Sequence, residues 1–237
     1  MLALLHTSPA HVPVFEALRD EHHPGVALRH LVDEELLARA RREGPETVAD
    51  GVRAAVGRAV AYGARAVLCT CSTIGGVAEA AGAGAGVPVL RSDRPMAAAA
   101  VAAGPRIVVL ATVESTLGPT VSLIEEEAAL SGRTAAVRTR LVEGAWDRFA
   151  AGDTEGCAAL VATAADRVTE ADAIVLAQGS MAPAEHLSTT PVPILSSPRR
   201  GLAAGARASG DDRTGGCDLV VGRGAVMGGR PVRGRRG

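Results

Sequence analysis

The stretch AVLCTCSTIGG, residues 66–76, runs an apolar segment into two cysteines, a Ser-Thr pair and two glycines. A short apolar run bounded by turn residues reads as a buried parallel strand, and VAEAAG behind the glycines reads as the start of a helix. Cys71 is thereby expected where the sheet meets a helix N-terminus. A thiol there faces backbone N–H groups and the positive end of the helix dipole, both of which favour the thiolate. The same N–H groups, with the hydroxyls of Ser72 and Thr73, can hold a carboxylate or an enediolate oxygen. Thiolate and oxyanion donors side by side suit proton transfer at a carbon next to a carboxylate.

The other thiols read as structural. Cys69 lies two residues back inside the strand. Cys157 shares a helical stripe with Leu160, Val161, Ala164 and Val168. Cys69, Cys71, Cys157 and Cys217 show no C-x-x-C spacing, so neither a zinc site nor a disulfide framework is expected, and free thiols fit a reducing compartment. The chain contains no lysine. A Schiff base to pyridoxal phosphate or to a carbonyl substrate is therefore excluded, as is a P-loop lysine.

The elements that must position Cys71 follow from the rest of the chain. With 237 residues, 47% of them hydrophobic and only 2% aromatic, the sequence is that of a tightly packed α/β protein. A formal charge of −1 gives no case for nucleic acid or anionic membrane as partner. No apolar run approaches the roughly 20 residues that span a bilayer, and MLALLHTSPA lacks the marks of a signal peptide, so the cytoplasm is expected. Strands are expected at LALLH, VALRHLVD, RAVLCT and VPVL, with helices at AHVPVFEALRDE, at GPETVADGVRAAVGRAVAYG and from about Ile74. Val48, Val52, Val56 and Val60 form one apolar stripe at helical spacing. After the helix RPMAAAAVAAG come strand RIVVLA, helix LGPTVSLIEEEAALSG, strand AAVRTRLV, helix TEGCAALVATAADRVTE, and strands AIVLAQ and VPILS. Strands alternating with helices imply right-handed βαβ crossovers and mostly parallel sheets.

The second run repeats the first. VPVL at 87–90 matches VPIL at 192–195, LLHT at 4–7 matches VLAT at 109–112, and AVLCTCST at 66–73 matches AIVLAQGS at 173–180. The expected fold is two pseudo-symmetric α/β halves, residues 1–95 and 96–195, the first completed by a C-terminal helix over 196–208. In this register Thr7 faces Thr112, Thr73 faces Ser180 and Cys71 faces Gln178. All fall beyond the carboxyl ends of strands, where open parallel sheets bind ligands, so the cleft between halves is the expected site. Ser115 and Thr116, opening the next helix, are candidate N-caps and substrate ligands. His6 reads either as an assistant to the thiol or as a structural histidine.

The duplicated halves, with CST after the third strand and LAQGSM at the mirror position, resemble the aspartate/glutamate racemase superfamily, which includes hydantoin racemase, maleate isomerase and arylmalonate decarboxylase. The resemblance covers residues 1 to about 208. It implies cofactor-independent chemistry at a carbon next to a carboxylate, with two cysteines facing each other across the cleft. Cys71 matches the first of these, whereas Gln178 stands in place of the second, and an amide is no general acid or base near neutral pH. Glutamate racemases also carry an Asp-Ser pair after the first strand and a Cys-Thr-His motif, where this chain has His6, Thr7 and Ser8, and Gln178, Gly179 and Ser180. The closer likeness is to single-cysteine members of the superfamily.

The expected function is a racemase or isomerase of a small amino acid or related acid, with Cys71 and Gln178 at the reacting carbon. Thr7, Ser72, Thr73, Thr112, Ser115, Thr116 and Ser180 are the candidates for holding the carboxylate. A one-base relative of arylmalonate decarboxylase and a carboxylate-binding protein without turnover are the alternatives; a homo-oligomer is left open. With one thiol, exchange on a single face with slow or absent racemisation is expected. From Ser209 onward the chain is rich in Gly and Arg and reads as a disordered tail. Its DLVVGRGAVMGG lacks the glycine spacing and the following helix of a dinucleotide loop.

Overall fold

The computed structural model describes residues 1–211; the glycine- and arginine-rich segment that follows lies outside the described residues. Strand β1 is Leu2–His6, followed by helix α1 (His11–His22), β2 (Leu28–Val32), α2 (Glu34–Glu43), α3 (Ala49–Ala61), β3 (Ala66–Cys69), α4 (Gly75–Ala81) and β4 (Val89–Arg91). Then come α5 (Arg94–Ala103), β5 (Arg106–Ala111), α6 (Leu117–Leu130), β6 (Ala136–Leu141), α7 (Ala145–Ala150), α8 (Thr154–Asp166), β7 (Ala173–Leu176), β8 (Ile194–Leu195) and α9 (Pro198–Ala208). The strands form two four-stranded parallel sheets, ordered β2-β1-β3-β4 and β6-β5-β7-β8. The two-half α/β fold expected from the sequence is therefore present.

The pairing register recurs between the sheets. Leu2 sits opposite Ala66 and Val67 opposite Val89 in the first sheet; Ile107 sits opposite Ala173 and Ile174 opposite Ile194 in the second. Because successive strand side chains point to opposite faces, each sheet feeds two cores. On the first sheet, Ala3, Leu5, Val67 and Cys69 pack with Val52, Val56, Val77 and Ala78, while Leu2, Leu4, Ala66 and Leu68 pack with Phe15, Leu202 and Ala206. On the second sheet, Val109, Ala111 and Val175 meet Met96, Ala97, Leu123 and Ile124, and Leu110, Ile174 and Leu176 meet Cys157, Val161 and Met181.

Two helices thus cross over. Helix α5 follows the first sheet and packs on the second; α9 follows the second and packs on the first. Both begin with proline in the first turn, where a missing N–H costs nothing. The fit of α9 requires small residues: a Cβ at Gly201 would come 2.6 Å from Ser92, and one at Gly205 would come 2.8 Å from Leu2.

Several local readings differ from the structure. Helices α2 and α7 follow β2 and β6, where the sequence reading placed none. A 3-10 helix, Gly179–His186, lies between β7 and β8; Pro183 inside it has no N–H to donate. Ser209 is buried and the Asp211 carboxylate pairs with Arg65, so these two residues, read from the sequence as part of the tail, pack against the first half.

Candidate active site

Cys71 follows β3 after one residue, Thr70, but the turn Ser72–Ile74 separates it from α4, which begins only at Gly75. The thiol is therefore held by a loop and not by the helix end. That loop is built from below. Arg91 Nε and Nη2 donate to the Asp93 carboxylate at 2.6 and 2.9 Å, both side chains being buried, and Nη2 also donates to the Ser72 carbonyl at 3.4 Å. Burial opposes the charge on Arg91, yet the Asp93 carboxylate outweighs it and holds the guanidinium above its ordinary range. A Cβ on Gly75 would stand 2.8 Å from Arg91 Nε, so the first residue of α4 lies this close to the ion pair because it is glycine. Cys69 Sγ donates to the Cys71 carbonyl at 3.6 Å; burial raises this thiol well above the ordinary cysteine range.

The mirror loop after β7 reaches the same place. Ser72 Oγ donates to the Ala177 carbonyl at 2.9 Å, tying the two loops together across the halves. Gln178 is clamped: its Oε1 accepts from the Thr112 amide at 2.8 Å and its Nε2 donates to Thr112 Oγ1 at 2.7 Å. Between the loops lies a cavity of about 70 Å³. Of the residues expected at the site, Thr7, Cys71, Ser72, Thr73, Thr116, Gln178 and Ser180 line it together. Thr112 and Ser115 do not; Thr112 stands behind Gln178, and Ser115 Oγ is buried without a hydrogen-bond partner among the described residues. Neither Ser115 nor Thr116 caps α6, because the Thr116 hydroxyl donates instead to the Val113 carbonyl at 2.8 Å.

His6 is not in the cavity. It is fully buried, with Nδ1 2.8 Å from Thr70 Oγ1 and Nε2 2.7 Å from His30 Nδ1, while His30 Nε2 lies 2.9 Å from Glu16. Burial, reinforced by His30 and His11, pushes its pKa down to about 3, so it is neutral. Its role is behind the wall, orienting Thr70, which does line the cavity.

Further lining residues were not foreseen as site residues: Ser8, His11, Leu37, Arg41, Trp146, Phe149 and Gly179. Arg41 on α2 places its guanidinium carbon 5.0 Å from the centroid of the Trp146 ring on α7, bridging the halves. It makes no ion pair with any described residue. Burial lowers the pKa of His11. Among the described residues no cluster of His, Cys, Asp or Glu could hold a metal ion, and no helix is long and apolar enough to cross a membrane.

This architecture is shared with known proteins. Solved structures with the same fold include the Gly74Cys mutant of arylmalonate decarboxylase in a sulfate-associated form, at 18% identity and a TM-score of 0.60 over 88% of this chain and 93% of that one. Aspartate racemase of Picrophilus torridus aligns at 16% identity and a TM-score of 0.62, covering 89% of this chain and 94% of its own. Glutamate racemase of Thermus thermophilus, in complex with β-chloro-D-alanine, aligns at 21% identity and a TM-score of 0.58, covering 87% and 79%. No curated protein matches the chain by sequence. The Asp/Glu/hydantoin racemase family profile, however, matches residues 10–204, and this chain belongs to that family.

Proposed function

We propose that the protein is a cofactor-independent racemase or isomerase acting at the carbon next to the carboxylate of a small amino acid or related acid. Cys71 takes up and returns the α-proton as thiolate and thiol. The observation that carries this reading is the meeting of the Cys71 loop and its mirror loop, Gln178 to Ser180, around one small cavity lined by hydroxyls. Thr73 Oγ1 is buried there with no hydrogen-bond partner among the described residues, and a buried hydroxyl is stable only when it finds one. It is the first candidate to hold a substrate carboxylate oxygen, with Ser72, Thr7, Thr116 and Ser180 around it. Arg41 adds the cavity's positive charge and favours an acidic substrate. The amide of Gln178, tied to Thr112, shapes the wall without exchanging protons.

The test is a screen of small carboxylates in deuterated water, including both enantiomers of aspartate and glutamate and a prochiral malonate. Deuteration of the α-carbon in at least one enantiomer is expected, and the exchange that passes through the Cys71 face should be lost in Cys71→Ala. Carbon dioxide released from the malonate to give a single enantiomer would identify an arylmalonate-type decarboxylase instead. Binding without exchange, at unchanged affinity in Cys71→Ser, would overturn the catalytic reading in favour of a carboxylate-binding protein.

A further inference from the structure

We propose that His11 is the acid–base group on the face of the substrate carbon opposite Cys71, so that proton transfer on the two faces is divided between a thiol and an imidazole. The inference rests on the proton-transfer reading given above and goes beyond it by naming the second group.

Among the residues lining the cavity, three carry ionisable side chains: Cys71, His11 and Arg41. A guanidinium stays protonated and cannot act as a base. Gln178, the counterpart of Cys71 in the mirror loop, has both its amide oxygen and its amide nitrogen engaged by Thr112. His6 is sealed behind the wall with both ring nitrogens taken. That leaves His11, which makes no side-chain hydrogen bond or ion pair with any described residue and so keeps both nitrogens for a substrate.

Its placement fits the second face. His11 opens α1, just after the loop from Thr7, and its ring packs against Gly179, the residue in register with Ser72. A Cβ at Gly179 would stand 3.5 Å from His11 Cε1 and 3.8 Å from Nδ1, so the imidazole edge lies against the mirror loop. The thiol belongs to one loop of the pair and the imidazole rests on the other. Burial keeps the ring neutral and ready to accept a proton.

The proton balance closes without a co-reactant. From one enantiomer, a ring nitrogen of His11 takes the α-proton, the C–H electron pair moves into the carboxylate to give an enediolate, and Cys71 Sγ–H gives its proton to the opposite face. The enzyme is left as imidazolium and thiolate. That pair runs the reaction from the other enantiomer, with Cys71 taking the proton and His11 returning one.

The experiment follows each enantiomer of aspartate, glutamate and any further acid found active in deuterated water, separating α-deuteration from inversion. Wild-type protein is expected to invert both enantiomers. His11→Gln should lose inversion by at least about 100-fold, the span of a missing general acid or base, yet still deuterate one enantiomer with retention through Cys71. Cys71→Ala should show the mirror image, retentive deuteration of the other enantiomer. In His11→Ala, added imidazole should restore part of the inversion, which a purely structural histidine would not allow. Inversion at the wild-type rate in His11→Gln would overturn the proposal. So would wild-type exchange on one enantiomer only, unchanged in His11→Gln; that result leaves the single-thiol reading standing. Absence of exchange of every acid in the wild type would bring down both.

Discussion

Gln178 and Thr112 hold each other by two hydrogen bonds, side-chain amide to hydroxyl at 2.7 Å and backbone amide to side-chain carbonyl at 2.8 Å. The residue that stands opposite the thiol in the repeat is thus immobilised by the residue that stands opposite Thr7. Thr112→Val keeps the shape and removes the acceptor. It should lower stability by about 1 kcal/mol in denaturant unfolding and weaken substrate affinity, with the proton-transfer rate changed only severalfold. In a His11→Gln background, Gln178→Cys should bring inversion back by placing a second thiol in the mirror loop. Failure of that rescue with the fold intact would show that Gln178 does not face the reacting carbon.

The thiols should separate by their surroundings. Cys71 is half-buried in the cavity wall, whereas Cys69 and Cys157 are buried in cores, where desolvation raises both. Cys71→Ala should lower net conversion by about 10²–10⁴-fold at unchanged melting temperature. Cys69→Ala and Cys157→Ala should shift melting more than rate. In a Cys217→Ser chain, iodoacetamide should modify Cys71 first, and a bound carboxylate should slow it; equal labelling of all three thiols with activity retained would refute the assignment.

The buried pair under the Cys71 loop sets a second test. Arg91→Met or Asp93→Asn strands one partner away from water, and each should cost about 3–5 kcal/mol in unfolding experiments. Replacing both together by apolar residues should cost less than the two single changes summed. Loss of activity is expected to accompany Arg91→Met, because the Ser72 carbonyl loses its anchor.

Acid should act on His6. Its folded-state pKa of about 3 lies below the ordinary imidazole value of 6.5, so the unfolded chain binds the extra proton and the folded one does not. Stability then falls as pH drops below about 6.5 and continues to fall until about 3, with a limiting slope of about 1.4 kcal/mol per pH unit from this residue. His6→Phe should flatten that part of the curve in urea titrations at stepped pH. An unchanged slope would mean that His6 is not the group responsible.

What the sequence made legible was whatever a strand-long apolar run declares. The strand sites, the repeat register that matches Ala66 to Ala173, and the meeting of Cys71 with Gln178 all follow from such runs. What stayed hidden were the two helices after β2 and β6. EELLARARRE buries only Leu36 and Ala40, and AWDRFA is a turn and a half long, so neither shows a wide apolar stripe. They carry Leu37, Arg41, Trp146 and Phe149, the cavity's apolar and cationic rim. His11 was hidden for another reason. A histidine in the first turn of a helix faces solvent or a cavity according to how the preceding loop rotates that helix, and TSPA does not encode the rotation in any pattern of residue types. The thiol was expected on a helix end; the three-residue turn after it reflects Arg91, a buried charge that no local spacing announces.

The exchange of α5 and α9 between the halves orders the birth of the molecule. Residues 94–195 are contiguous in the chain and contain α5, β5 to β8 and every helix on the second sheet, so that half can close as soon as it has been synthesised. The first half cannot. Leu2, Leu4 and Leu68 wait for Leu202 and Ala206, which lie near the other end of the described chain. Earlier in synthesis that face of the first sheet has only α1 to cover it, and ribosome-bound chains ending before about residue 200 should expose it to chaperones and proteases. Every residue that lines the cavity is synthesised before the final helix lies down on the first sheet.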